Sequence, residues 1–308
     1  MSQNTTVTTI TTSADDPAAL ANADDPGDQD AGRFLYKTTR GTDLYLYLKQ
    51  PKTRVYDRAP LLVHIVGGGW THYEVKNYFS YFGTYESELS KEGFAGLTVG
   101  HVGSDNGGSM EEIVADVLDT FGYIAKYNDV FKIDLNRIVF VGQSAGAHLG
   151  LLLSLADHSL LMKDCAYTGF DYHVIGAVGM ATPTMLYQDV ETGKQLFPDW
   201  GGGPVLGNLF HNANCFVDDT DFRRYSPIEY VSASMPPVLL LVGDKDTVVA
   251  PKQSYLFNDK AEGVGAACTM VVIQNGDHSL QPVDAAVTTP SAAKFYWQMI
   301  QFVQNLVK

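Results

Sequence analysis

The sequence has few cysteines and no long apolar run. Its 308 residues include three cysteines, Cys165, Cys215 and Cys268, which lie far apart and form no CxxC pair. This sparse, odd number argues against a disulfide framework or a zinc site, and it predicts a reducing compartment with all three thiols in ordinary packing roles. No segment approaches the roughly 18 apolar residues that a membrane span requires.

Positive charge is scarce as well. The chain has 21 Lys and Arg against 35 Asp and Glu, for a net charge of −14. Such a surface repels phosphate backbones and anionic lipid head groups, so we expect neither a nucleic-acid partner nor a membrane partner. The N-terminal segment lacks the basic and apolar regions of a secretory signal, and it is acidic, unlike a transit peptide. We therefore expect a soluble, cytoplasmic protein.

Hydrophobic residues make up 45% of the chain, which is enough for the core of one large domain. Residues 1–32 are rich in Thr, Ser, Asp and Ala, and they are predicted to form a disordered acidic tail because they can bury little apolar surface. The folded domain is then expected to span residues 33–308. Within it, residues 186–224 have few regular signals and are too long for a plain connection, which predicts a cap or lid insertion.

Apolar runs typical of strands alternate with stretches of helical periodicity. The predicted strands are residues 44–48, 61–66, 94–99, 138–141, 174–178, 238–242 and 270–273. Apolar side chains fall on one face of residues 113–127 and on one face of the last segment, at Phe295, Met299, Phe302, Val303 and Leu306. This alternation predicts an α/β fold with a central, mostly parallel sheet of about eight strands and helices on both faces.

A G-x-S-x-G motif surrounds Ser144. The predicted strand 138–141 runs directly into it, and residues 147–156 are compatible with a helix. A nucleophilic serine needs a tight strand-to-helix turn of this kind, and Gly142 and Gly146 would let the strand and the helix approach each other. The N-terminus of the helix would also place positive partial charge near a developing oxyanion. The sequence therefore predicts Ser144 as a nucleophile.

A serine hydroxyl is a weak nucleophile and needs an imidazole to accept its proton. In the strand-turn-helix arrangement with this motif, the nucleophile is followed along the chain by the acid and then by the base. His278, the last of eight histidines, lies between the last predicted strand and the C-terminal helix, so it is the predicted base. His148, one turn into the helix after Ser144, is expected to pack or to form a local hydrogen bond.

Two carboxylates follow the strand 238–242 and compete for the role of the orienting acid. The acid must accept the imidazole Nδ1–H group and stabilise the imidazolium that forms. We favour Asp246, whereas Asp244 stands directly at the strand end, where it can instead cap the turn. Asp277 adjoins His278 in the chain and is badly placed to orient its ring.

A glycine run, residues 67–69, follows the strand 61–66 and precedes Trp70. Glycines allow backbone N–H groups to turn toward a substrate carbonyl, and such donors stabilise a tetrahedral oxyanion. The expected donors are the amides of Gly68 or Gly69, together with that of Ala145. A phosphate-binding loop is disfavoured because no Lys-Ser or Lys-Thr pair follows the glycines.

Three segments together resemble the α/β-hydrolase group that includes hormone-sensitive-lipase-like carboxylesterases, and more closely BD-FAE-like feruloyl and acetyl-xylan esterases and kynurenine formamidases. The resemblance extends from residue 35 to the C-terminus, and it is strongest in residues 67–70, 133–149 and 226–249. It implies the α/β-hydrolase fold, with Asp246 at the acid's position in G-x-x-D-x-x-V. The family usually has histidine before the glycines, where this chain has Val66.

The resemblance implies a serine hydrolase that cleaves small carboxylic esters, of acetyl, feruloyl or other short acyl type, with no metal and no other cofactor. Trp70 is the candidate substrate-binding residue, and Tyr73 and residues 78–85 fit either an acyl pocket or core packing. The alternatives are an aryl-formamidase or other amide hydrolase, and a catalytically decayed binding protein. The oligomeric state stays open, a homo-oligomer included.

Overall fold

Eight strands form one sheet in the part of the chain that the computed structural model describes, which is residues 31–71, 79–162, 164–187, 203–210, 220–286 and 292–308. The strands are β1 (Ala31–Thr39), β2 (Thr42–Lys49), β3 (Ala59–Ile65), β4 (Ala95–Val99), β5 (Ile133–Gln143), β6 (Val174–Met180), β7 (Val238–Gly243) and β8 (Cys268–Ile273). The α-helices of these residues are α1 (Phe79–Lys91), α2 (Met110–Lys126), α3 (Asn128–Phe131), α4 (Ala145–Leu155), α5 (His158–Leu161), α6 (Gly203–Leu209), α7 (Thr220–Arg224), α8 (Lys252–Val264) and α9 (Ala292–Leu306).

The strand order is β1-β2-β4-β3-β5-β6-β7-β8. The pairs β1–β2 and β2–β4 are antiparallel, and all other pairs are parallel. The predicted mostly parallel sheet is confirmed, and each predicted strand overlaps an observed one. β1 was not predicted, because a register shift between Leu35 and Lys37 breaks its alternation, so that Tyr36 and Lys37 are both buried.

The core lies on both faces of the sheet, because successive residues of the central strands point to opposite sides. On one face, alternate residues of β3, β5 and β7 pack with α2, α4 and α8. On the other face, the intervening residues of the same strands pack with α1 and α9. The predicted helices on both faces are therefore confirmed, and in α9 the residues Phe295, Met299 and Val303 are buried as the periodicity indicated.

The predicted helix 113–127 is present as α2, which begins three residues earlier than expected. The reason is a capping box. The Ser109 hydroxyl accepts the Glu112 N–H group at 3.2 Å, and the Glu112 carboxylate accepts the Ser109 N–H group at 2.9 Å. These two bonds satisfy amide groups that the first turn would otherwise leave without acceptors, so the helix extends back to Met110.

Several predictions fall wholly or partly outside the described residues. Residues 1–30 of the predicted acidic tail lie outside, whereas its last two residues, Ala31 and Gly32, belong to β1 and are not disordered. Most of the predicted cap insertion also lies outside, and only α6, α7 and a few neighbouring residues of it are described. Cys215 lies outside as well. The other two cysteines are described, and burial raises the pKa of the Cys165 thiol to about 12 and that of the Cys268 thiol to about 11. None of the described helices is both long and apolar enough to cross a bilayer.

A buried ion cluster joins β1 to α2. The Lys37 ammonium lies 2.7 Å from a carboxylate oxygen of Asp116 and 2.8 Å from one of Asp119. Burial alone would lower the pKa of Lys37, but the two carboxylates more than offset this and raise it. Burial raises the pKa of Asp116 to about 6, and the negative charge of Asp119 adds to this, against the lowering effects of Lys37 and of the Val102 N–H group.

Replacement of Lys37 by methionine should destabilise the fold strongly. Lys37→Met leaves two carboxylates buried without their cation, so the free energy of unfolding near neutral pH should fall by about 3–5 kcal/mol in urea denaturation. A carboxyl group whose pKa is raised in the folded state binds protons more readily there than in the unfolded chain. The deficit should therefore shrink as the pH falls from neutral toward about 5.

The matched control is Lys91→Met, because Lys91 forms an exposed ion pair with Glu88 at 2.6 Å. We expect this substitution to change the free energy of unfolding by no more than about 0.5 kcal/mol. Equal destabilisation by the two lysine substitutions would contradict the importance of the buried cluster.

Candidate active site

The predicted site residues follow the carboxyl ends of four parallel strands. Gly68, Ser144, Asp246 and His278 come after β3, β5, β7 and β8, respectively. Parallel strands place these ends at one edge of the sheet, where α/β folds usually form their ligand crevices. The topology therefore brings together residues that lie far apart in the sequence.

Ser144 forms the turn between β5 and α4. Its φ of 54° and ψ of −126° are strained for a residue with a side chain, and its amide donates to the Met180 carbonyl at 2.8 Å. A methyl group on Gly142 would lie 2.5 Å from the backbone of Gly146, and one on Gly146 would lie 2.0 Å from the carbonyl oxygen of Ile65. The predicted need for glycine at both positions is therefore explained by close backbone packing.

His278 and Asp246 form a hydrogen-bonded pair in which only the acid is buried. The Nδ1 atom of His278 and the Oδ2 atom of Asp246 are 2.8 Å apart. The other oxygen of Asp246 accepts the N–H groups of Val248 at 2.8 Å and Val249 at 2.9 Å, which fixes the carboxylate in place. The side chain of Asp246 is fully buried, whereas that of His278 is 21% exposed. The imidazole can therefore reach a substrate while its acid stays shielded from water.

The competing carboxylates have other neighbours. Asp244 has its Oδ2 atom 3.8 Å from the ammonium of Lys245. Asp277 accepts the backbone N–H groups of Ser279 and Gln281, at 2.8 Å and 2.9 Å, and so shapes the loop after β8. Neither carboxylate bonds to the imidazole among the described residues, so Asp246 is the one of the two acids after β7 that contacts His278.

Two residues that were not predicted hold the His278 loop against the sheet. A methyl group on Gly243 would lie 2.3 Å from the carbonyl oxygen of Gly276 and 2.4 Å from that of Asp277. The loop after β8 therefore crosses the end of β7 in direct backbone contact. The Gln143 side chain, next to the nucleophile candidate, donates to the His278 carbonyl at 3.1 Å. A glycine directly after an apolar run was the available signal for Gly243.

The glycine loop after β3 has an unusual backbone. Gly68, Gly69 and Trp70 have φ values of 95°, 66° and 57°, so three consecutive residues are left-handed. The amides of Gly68, Gly69 and Ala145 form no hydrogen bond with another described residue. They are available to a ligand, as the predicted oxyanion hole requires.

One pocket of about 480 Å³ is lined by five of the predicted site residues, Gly68, Gly69, Trp70, Ser144 and His278, whereas Asp246 and Ala145 are not in its lining. Its lining consists of Gly67, Gly68, Gly69, Trp70, Gln143, Ser144, Pro183, Val248, Val249, His278 and Ser279. Among the described residues, the Ser144 and His278 side chains share this pocket without a direct hydrogen bond between them. Catalytic hydrogen bonds are often long without a substrate. The described residues contain no group of three or more His, Cys, Asp or Glu side chains that could hold a metal ion.

Trp70 has only 1% of its surface exposed. Its indole N–H group donates to Nδ1 of His148 at 3.1 Å, so the side chain of His148 bonds a residue distant in the sequence rather than forming the local hydrogen bond that was expected. Nothing in the sequence indicated this partner, since the two residues are 78 positions apart. Tyr73 and the side chains of residues 78–84, which were also considered for the pocket, lie outside the described part.

Val66, which stands where the family has histidine, is buried directly after β3. His64 is fully buried and bonds through Nδ1 to the Tyr85 hydroxyl at 2.8 Å. Burial lowers the pKa of His64 to about 3, so the ring stays neutral. Neither residue is among the described residues that line the pocket, and Tyr85 belongs to the core rather than to an acyl pocket.

Residues 43–261 match the family model BD-FAE. The chain belongs to the BD-FAE family. It is similar to the esterase LipQ of Mycobacterium tuberculosis, with 27% identity over 236 residues, which are 76% of this chain and 52% of LipQ. The chain spans about half the length of the curated relatives it matches.

Solved structures of similar proteins have the same fold as this BD-FAE chain. The thermophilic esterase Est2 of Thermogutta terrifontis has a TM-score of 0.67 and 17% identity, and the match covers 92% of this chain and 91% of Est2. Est2 has also been solved with propionate and with butyrate bound. A truncated carbohydrate esterase from gut microbiota has a TM-score of 0.69 and 19% identity, and the match covers 93% of this chain and 99% of that one. The predicted α/β-hydrolase fold is confirmed.

The close contact between Gly243 and the loop after β8 leaves no room for a side chain on Gly243. Gly243→Ala should displace this loop and with it His278. We expect hydrolysis of a small activated ester to slow by about 100-fold, because small displacements of a reacting group are costly. Steady-state kinetics on the purified chain would measure the effect.

The control is Gly263→Ala in α8, where an added methyl group meets nothing within 4 Å. It should leave the rate unchanged, and it should stabilise the helix by up to about 1 kcal/mol. Wild-type activity in Gly243→Ala would show that the loop tolerates the extra atom.

Proposed function

We propose that this chain is a serine hydrolase that cleaves small carboxylic esters through an acyl-enzyme on Ser144. The observation that carries the proposal is the 2.8 Å bond between Asp246 and His278, at a pocket that Ser144 also lines. An imidazole with a buried acid on Nδ1 and its other nitrogen free for a substrate is suited to general-base catalysis. The resemblance to LipQ supports the esterase activity.

In the proposed mechanism, His278 removes the hydroxyl proton of Ser144 as the oxygen attacks the ester carbonyl carbon. The negative charge that develops on the carbonyl oxygen is stabilised by the amides of Ala145 and of Gly68 or Gly69. Asp246 holds the imidazole in the required orientation and stabilises the imidazolium. When the intermediate collapses, His278 returns the proton to the departing alcohol, and water then releases the acid by the same steps.

The pocket supports a short acyl group. Its volume of about 480 Å³ lies in the lower half of the usual range for small-molecule sites, roughly 300–1,000 Å³. Val248, Val249 and Pro183 give it an apolar wall beside the polar residues of the proposed triad. Est2, which shares the fold, has been solved with propionate and with butyrate bound, and both are short acyl groups.

The first test is the dependence of hydrolysis on acyl length. The purified chain should hydrolyse p-nitrophenyl acetate and butyrate with the highest kcat/KM, and the value should decline toward the decanoate as the chain outgrows the pocket. A maximum at the long esters would argue against the short-acyl proposal. Faster turnover of N-formylkynurenine than of the acetate would favour the amide hydrolase instead.

The second test is removal of the nucleophile. Ser144→Ala should lose about 10⁶-fold in kcat, and Asp246→Asn about 10⁴-fold, because the latter leaves the ring without its orienting acceptor. Ser154→Ala removes a hydroxyl from the same helix, where it bonds the Gly150 carbonyl at 2.6 Å, and should keep wild-type activity. No turnover by the wild-type chain on any of these substrates would support a decayed binding protein.

A further inference from the structure

His148 joins three parts of the molecule at a single buried ring. It lies one turn after Ser144 in α4, and its own amide donates to the Ser144 carbonyl at 3.0 Å. Its Nδ1 atom is 3.1 Å from the indole nitrogen of Trp70, in the glycine loop after β3. Its Nε2 atom is 2.6 Å from the carbonyl oxygen of Tyr225, just after α7. The imidazole has no exposed surface.

The two partners fix the proton on this ring. A carbonyl oxygen can only accept, so Nε2 of His148 must carry the hydrogen in its bond with Tyr225. The indole N–H group of Trp70 can only donate, so Nδ1 must be the unprotonated nitrogen. Burial lowers the pKa of His148 to about 4, against the raising effect of the Tyr225 carbonyl. The ring is therefore neutral at neutral pH and satisfies both partners.

The glycine loop, which ends at Trp70, needs hydrogen bonds of this kind to hold its backbone conformation. A left-handed backbone is inexpensive for Gly68 and Gly69, but it costs roughly 1–2 kcal/mol for a residue with a side chain, such as Trp70. Bonds to two described residues help to hold Trp70 in that conformation. Its carbonyl accepts the Ser104 N–H group at 2.9 Å, and its indole donates to His148. The two rings also meet edge to face, with centroids 5.3 Å apart and planes at 86°.

We propose that His148 is a positioning residue, which fastens the glycine loop to the helix that begins at the nucleophile. The amides of the proposed oxyanion hole come from two separate elements, the loop with Gly68 and Gly69 and the first turn of α4 with Ala145. The bond between Trp70 and His148 joins those two elements by side chains. It keeps their amides aimed at one point. This inference rests on the proposed function.

If the bond between Trp70 and His148 positions the oxyanion donors, its removal should lower kcat rather than weaken substrate binding, since the oxyanion forms only after attack. Trp70→Phe keeps an aromatic ring but removes the N–H donor. We expect its kcat to fall by about 10- to 100-fold, because misplaced oxyanion donors are costly. Its KM should stay within about threefold of the wild-type value.

The conservative variant is His148→Gln, which carries one donor and one acceptor on the same side chain and can bond both partners. It should retain most of the wild-type kcat. His148→Leu has neither group and should lose kcat as Trp70→Phe does. Should His148→Leu fail to fold, the kcat of Trp70→Phe is compared with those of the wild type and of His148→Gln, and this comparison decides the question. Ser154→Ala, on the same helix, removes only a hydroxyl that bonds the Gly150 carbonyl, and it is the unchanged control.

The outcomes separate this inference from the proposed function. Wild-type kcat in Trp70→Phe and His148→Leu, with only a lower Tm, would make the tie purely structural and overturn the inference. A rise in KM without loss of kcat would assign Trp70 to substrate contact and also overturn it. Activity that survives Ser144→Ala would instead contradict the proposed function, whatever the Trp70 variant does.

Discussion

The strained turn at Ser144 is the constraint on which the arrangement of the site depends. A side chain at this φ is tolerated only because the surrounding backbone leaves no alternative. Gly142 and Gly146 let β5, α4 and the end of β3 come into direct contact, and any larger residue there would force them apart. This contact brings the glycine loop after β3 beside the first amide of α4. The geometry of the proposed oxyanion hole therefore follows from the same packing that exposes the serine.

The two histidines near this turn differ because of their surroundings. His278 has a carboxylate on one nitrogen and is partly exposed at the pocket, which suits a group that takes up and releases a proton. His148 is completely buried between an indole donor and a carbonyl acceptor, and burial lowers its pKa to about 4. A protonated ring at that position would turn an N–H group toward another N–H group. His148 is therefore suited to hold structure and His278 to perform chemistry.

The sequence allowed the fold and the composition of the site to be predicted where a local pattern specified them. The apolar runs predicted the parallel strands, and the glycines around Ser144 predicted its turn. The sequence favoured Asp246 over Asp244, but the bond of Asp246 to His278 could not be read from it, because that bond depends on how the turn after β7 directs two side chains that are two residues apart. The bond between Trp70 and His148 left no trace in the sequence, since it joins positions with no shared periodicity. Most of the predicted cap insertion at 186–224 stays a prediction.

The central claim is that His278 activates Ser144 as a nucleophile, and covalent labelling tests it most directly. The chain would be treated with a fluorophosphonate, which reacts with activated serines, and the adduct located by mass spectrometry of peptides. We expect one adduct, on Ser144, that forms rapidly in the wild type and is nearly absent in His278→Ala. An adduct on another residue, or equally fast labelling of Ser144 without His278, would contradict the account.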